Sequence, residues 1–182
     1  MTSAKAAAPL KWPLLAGYST GSLGTGVYST IPGVLLLYYM TDVLGVSSAL
    51  GAIVLFFPKI WGVVTDPFIG RLSDATRSRM GRRRPWLLAG AIGLGLSFTL
   101  LFHAPASDNP MTGFWYVLVL YGLSAAAYSV FAVPYIAMPA EMSEDPGERS
   151  RVMAWRMTFV MAGVLVGAGG PYGSAWRPTA GR

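Results

Sequence analysis

No cysteine occurs among the 182 residues, which excludes disulfides and thiolate metal sites. Histidine is nearly absent too: the single His103 cannot build a histidine-based metal centre, and its place at the end of an apolar run makes it an interfacial residue. Charge is sparse. Only 12% of residues are charged while 53% are hydrophobic, roughly half the charged share of a soluble domain, and this places the chain in a lipid bilayer. Acids are scarcer than bases, eight against fourteen, for a net charge of +6. Such a balance can signal nucleic acid, but the basic residues fall in short connectors and form no amphipathic or aromatic-interleaved surface, so no nucleic-acid partner is expected. No nucleophile, base and orienting group recur at a useful spacing, and Gly70 to Gly81 lacks the GxxxxGK[ST] pattern of a phosphate loop. Neither an enzyme nor a cofactor is expected.

What the chain has instead is long apolar runs. Residues 1–13 form a short basic leader with Lys5, Lys11 and Trp12; the apolar stretch behind it is broken by Pro13 and soon becomes a long glycine-bearing helix, unlike a signal peptide. Five transmembrane helices follow, over about 14–40, 50–69, 86–102, 113–138 and 151–169, giving an all-α integral membrane fold. The first carries Gly17 and Gly21 at GxxxG spacing, with Gly24 and Gly26 beyond and hydroxyls at Ser19, Thr20, Ser22 and Thr25. That half either lines a polar pathway or only permits close helix packing. The third repeats the small-xxx-small pattern through Ala89, Gly93 and Ala91, Gly95, and the fifth sets Gly163 and Gly167 on one face. Trp115 and Tyr116 suit a headgroup belt at the fourth. Asp145, Pro146 and Glu148 stand at N-cap, N1 and N3, a capping box that opens the last helix.

Orientation follows from basic residues beside the spans. The leader, the loop 71–84 and the loop ending at Arg151 carry ten Lys and Arg, and the two opposite connectors carry none, so the amino terminus is cytoplasmic. Five spans put the carboxyl terminus outside, where Arg177 and Arg182 sit on the wrong side. Residues 171–182 therefore read as a non-native-looking tail on a chain cut off before its next span. Two charges lie within the second span: Lys59 and Asp66, seven residues apart, share one helix face about 10 Å apart along the axis. Charge at that depth faces a bundle interior or a watery cavity, to handle ions or solutes or to form a packing ion pair.

The stretch Gly70-Arg-Leu-Ser-Asp74, followed by Arg77 and Gly81-Arg-Arg-Arg84, resembles the cytoplasmic loop signature between helices two and three of the major facilitator superfamily. Asp66-Pro67 and the YYMTDVLG ending of the first span narrow the resemblance to the glycoside-pentoside-hexuronide:cation symporters, of the melibiose permease-like kind, over residues 11–170. Members have twelve helices in two halves; the resemblance covers helices one to five of the amino-terminal bundle and implies a missing second half as partner. It implies a gating loop through Gly70, Asp74, Arg77, Gly81, Arg82 and Arg83, in which Asp74 pairs with arginines or faces a helix amino terminus. Asp66 matches the second of two cation-binding aspartates, while Gly62 stands at the first; Ser129 keeps a hydroxyl near that site and Thr65 adds another. Lys59 and Arg156 match basic positions of the substrate cavity, to which Thr25 is added, whereas Gly26, Ala132 and Ile136 replace two sugar-binding aspartates and a stacking tryptophan.

The implied function is cation-coupled symport of a sugar, glycoside or related small solute across the cell membrane, by a fragment that does not transport alone. The other reading is a multi-pass membrane protein whose intramembrane charges only fix packing and topology. The coupling ion is H+ or Na+. One carboxylate and two hydroxyls make a thin site for Na+ at Asp66, the only metal site the residues allow, and a lone intramembrane carboxylate readily takes up a proton, so H+ is favoured.

Overall fold

Runs of Leu, Val, Ile and aromatic residues fold as helices in a bilayer because a helix satisfies every backbone polar group within itself. The computed structural model describes residues 12–105, 109–143 and 145–175, the side chains of 14 and 170–175 excepted. Among them are five α-helices: α1 (Trp12–Ile31), α2 (Ser48–Ala75), α3 (Arg84–Leu101), α4 (Pro110–Met142) and α5 (Pro146–Ala175). Ser48–Ala75, Arg84–Leu101, Pro110–Met142 and Pro146–Gly169 are long and apolar enough to cross a membrane. Helix α1 is not one of these four; glycine and hydroxyl residues fill its middle.

The helices outrun the expected spans at most ends, because helical hydrogen bonding continues beyond the apolar runs. The first span instead divides. Pro32 has no N–H to give the ladder, and two π-helical turns, Pro32–Leu36 and Tyr39–Val43, complete the segment. It stops at Gly45, whose φ of 65° suits glycine, with the Val46 N–H donating to the Met40 carbonyl at 2.8 Å. Of the expected leader only Trp12 and Pro13 are described. Residues 176–182 of the expected tail lie outside the described residues, and helix α5 runs on through 171–175.

The described residues form two compact units, 12–35 with 139–175 and Leu36–Met138. In the first, α1 and α5 touch through glycines. A Cβ at Gly26 would strike the Val160 carbonyl and stand 3.1 Å from Gly163 Cα, and one at Gly163 would strike the Leu23 carbonyl. A Cβ at Gly167 would likewise lie 3.3 Å from Val27 Cα. Gly17 and Gly24 have open space around them, since they lie half a turn away from Gly26 on the helix. The α1 contact is thus displaced from the expected Gly17 pairing, while Gly163 and Gly167 share the contact face. Trp12 meets Trp155 edge-on at 4.6 Å. Asp145 caps α5, accepting from the N–H groups of Gly147 (3.2 Å) and Glu148 (3.3 Å). The Glu148 carboxylate turns to Arg151 at 2.9 Å, and the Asp145 N–H donates to Ser143 Oγ, so the return half of the expected box is supplied by another side chain.

In the second unit α3 lies on α4. Gly90 is buried, with a Cβ there only 2.6 Å from the Phe131 nitrogen, and one at Gly93 would sit 3.2 Å from Ala127 Cβ. Ala89 and Ala91 are exposed and Gly95 meets nothing within 4 Å, so the seam follows 90 and 93, joined by buried Ser97, rather than the two expected pairs. At the far end of α3 the Tyr116 hydroxyl donates to the Leu100 carbonyl at 2.8 Å, with the His103 carbonyl at 3.0 Å, and the Tyr39 hydroxyl accepts from the Ala104 N–H. Tyr116 therefore closes a helix terminus, while Trp115 beside it is exposed.

Candidate functional site

Helix α2 holds most of the expected site residues and buries little of itself: Gly51, Val54 and Ser73 are its buried positions. Asp66 and Lys59 are both exposed, not enclosed by the described helices. The Lys59 ammonium lies 5.4 Å from the centroid of the Phe56 ring, a cation–π contact one turn before it and away from Asp66. The Asp66 carboxylate folds back over Gly62: a Cβ there would be 3.9 Å from Oδ2 and 4.0 Å from Oδ1. The glycine leaves room beside the carboxylate. The Thr65 hydroxyl donates to the Trp61 carbonyl at 2.9 Å, which leaves its oxygen able to accept. Pro67 lacks the N–H that would bond the Val63 carbonyl, so one backbone oxygen of the turn before Asp66 loses its helical donor. Ser129, on α4 of the same unit, is 5% exposed.

At the other end of α2 the turn into α3 is braced. Asp74 Oδ1 and Arg83 Nη2 are 3.2 Å apart, and Arg83 Nη1 donates to the Pro134 carbonyl of α4 at 3.3 Å. The Arg83 side chain is only 11% exposed, and its planar fork serves a carboxylate and a carbonyl at once. Gly70 faces α4, where a Cβ would make ordinary contact with Val133 Cγ1 at 3.7 Å. Gly81, at φ 94°, allows the reversal, and its N–H donates to the Ser78 carbonyl at 3.0 Å. Arg77 and Arg82 are exposed. The structure thus brings Gly70, Asp74, Gly81 and Arg83 into one assembly with α4. Two participants escaped the sequence: the Pro134 carbonyl, which no pattern marks, and Trp86, whose indole N–H donates to Thr76 Oγ1 at 2.9 Å and ties the two ends of the turn. A tryptophan beside a loop proline was the only signal of the second.

Thr25 and Arg156 belong to the other unit. Thr25 is 5% exposed and gives its hydroxyl proton to the Ser22 carbonyl at 2.9 Å. Arg156 is half-buried with Nη1 3.9 Å from Met153 Sδ, and stands two turns before Gly163 on the face of α5 that meets α1.

Long apolar helices, charge held at mid-span and a braced polar turn between helices are the makings of a multi-pass membrane transporter, and comparison with known proteins agrees. The sequence model of the MFS/sugar transport protein family matches residues 17–178. The chain belongs to that family, the glycoside-pentoside-hexuronide:cation symporters of the major facilitator superfamily, which are transporters and not enzymes. It is 37% identical to YagG of Escherichia coli, named provisionally as a glycoside/cation symporter, over 84% of this chain and 33% of that protein. It is 34% identical to an uncharacterised symporter of Synechocystis, over 91% of this chain and 31% of that one. A glucuronide carrier protein homolog of Escherichia coli is 29% identical, over 87% of this chain and 36% of its own length. The chain spans about a third of the length of these relatives.

Proposed function

We propose that these residues form the amino-terminal part of a cation-coupled symporter for a sugar, glycoside or related solute, seated in the cell membrane with its amino terminus in the cytoplasm. One observation carries the reading: Asp66 is an acid in the apolar middle of α2, exposed beside the space left by Gly62. A carboxylate there is costly unless it takes a proton or a cation, and that cost links its occupancy to the state of the protein around it. The oxygens that would hold a cation are those of Asp66, Thr65 and Ser129, with the Val63 carbonyl in reach of the same turn. A single carboxylate in this set favours H+ over Na+. Lys59, Arg156 and Thr25 supply donors for solute oxygens. Gly70, Asp74, Arg77, Gly81, Arg82 and Arg83 form the gating turn, where the Asp74–Arg83 pair holds one state of the transport cycle.

The test is Asp66→Asn in a full-length symporter that carries this chain as its amino-terminal part. Cation-driven accumulation should be abolished while downhill solute exchange remains measurable. A variant that still concentrates solute against its gradient would make Asp66 a structural residue, and uptake that follows a sodium gradient and ignores pH would overturn the proton assignment.

A further inference from the structure

The same turn presents a second chemistry on its outer side. Arg83 is turned inward to Asp74 and Pro134, and Asp74 is the only acid between residues 67 and 100. The other arginines of the stretch, Arg71, Arg77, Arg79, Arg82 and Arg84, are all exposed. The positive charge of Arg71, Arg77, Arg79 and Arg84 is therefore concentrated on the outer surface of a turn whose one carboxylate already answers to Arg83. The turn has a defined shape: the Met80 N–H donates to Ser78 Oγ at 3.3 Å, Gly81 reverses the chain, and the Trp86–Thr76 bond closes the base. At its tip, between Arg79 and Arg82, Met80 is 55% exposed, and Leu72 and Leu88 are similarly exposed on the flanking helices.

Guanidinium groups interleaved with exposed apolar side chains match a surface that is anionic at one depth and hydrocarbon just beneath. A soluble polyanion would answer the arginines and leave the Met80 side chain at the tip in water. We propose that the turn between α2 and α3 is a binding surface for the phosphate headgroups of anionic phospholipid, with Met80 reaching below the phosphates and Arg77, Arg79 and Arg84 engaging them. Arginine suits the task because its planar fork bonds phosphate oxygens bidentately. Lipid composition then acts on the turn directly, independently of which solute or ion the protein carries.

Trp86, at the base of the turn, is the reporter. The full chain, with every other tryptophan replaced by phenylalanine, is reconstituted into phosphatidylcholine vesicles containing a minor fraction of either brominated phosphatidylglycerol or brominated phosphatidylcholine. Quenching of Trp86 should show about threefold enrichment of the anionic lipid, falling toward parity in high salt. Replacing Arg77, Arg79 and Arg84 by glutamine should abolish the enrichment, and replacing them by lysine should retain most of it. Equal quenching by the two lipids around the native turn would overturn the proposal, and that comparison needs no variant of the turn. Enrichment that survives the glutamine set, or that millimolar inorganic phosphate displaces, would overturn it as well, the latter by making the ligand a soluble anion.

Discussion

Gly90 and Gly95 stand on one helix and should respond oppositely to one substitution. Gly90→Leu drives a side chain into the Phe131 backbone and should cost about 1–3 kcal/mol, whereas Gly95→Leu enters open space and should change stability by less than about 0.5 kcal/mol. Thermal unfolding of the purified protein in detergent checks both; equal losses would show that α3 does not lie on α4 through Gly90. The sequence offered these positions without ranking them. Small residues recur along 89–97 on several lines of the helix, and only the shape of the partner, with Phe131 presenting its backbone, selects 90 and 93. On α1 the sequence named Gly17, Gly21, Gly24 and Gly26 alike, and Gly26 makes the contact while Gly17 and Gly24 do not. Asp66 and Lys59 were easier to find, because a charge inside an apolar run needs no partner to be conspicuous. Where Lys59 would turn was not readable, since the Phe56 ring before it and the Asp66 carboxylate after it lie on similar lines.

Among elements, what is local in sequence was the more legible. The Asp145 cap of α5 followed from residues two and three positions apart, and the structure forms it. The return half was misread because Glu148 had a rival partner, Arg151, one turn ahead on the same helix. The turn between α2 and α3 shows the limit. Three consecutive arginines, Arg82, Arg83 and Arg84, are alike on paper, and only the fold distinguishes Arg83 as the one turned to Asp74 and Pro134. Arg83→Gln should therefore loosen the turn where Arg84→Gln does not. We expect amide exchange over residues 76–86 to quicken about fivefold in the first variant, a modest figure because Asp74 is 58% exposed and its ion pair is partly screened by solvent. Exchange that is unchanged in Arg83→Gln would show that the pair does not hold the turn. Helix type and order were legible for every apolar run; the π-helical turns after Pro32 were not, because a proline marks a break without stating what replaces the lost bond.

At the scale of the molecule, a reporter fused after Leu44 should lie outside the cytoplasm and one after Arg79 inside; the reverse pattern would overturn the orientation read from the basic residues. Alternating access uses two helical bundles around a shared site, and this chain spans about a third of its relatives. The 182 residues reconstituted alone into liposomes should therefore show no saturable, gradient-driven sugar uptake beyond that of empty vesicles. Such uptake would make the chain a self-sufficient transporter. The division of the chain has a further consequence, in time. The unit of residues 36–138 is contiguous and can pack as it is made, but α1 closes against a helix that does not yet exist when α1 enters the bilayer. At cellular rates of synthesis the intervening hundred or so residues take about 5–20 s, and throughout that interval α1 keeps its glycine face uncovered. A synonymous change that slows ribosomes between codons 36 and 138 would lengthen this exposure and lower the yield of inserted protein without altering one amino acid.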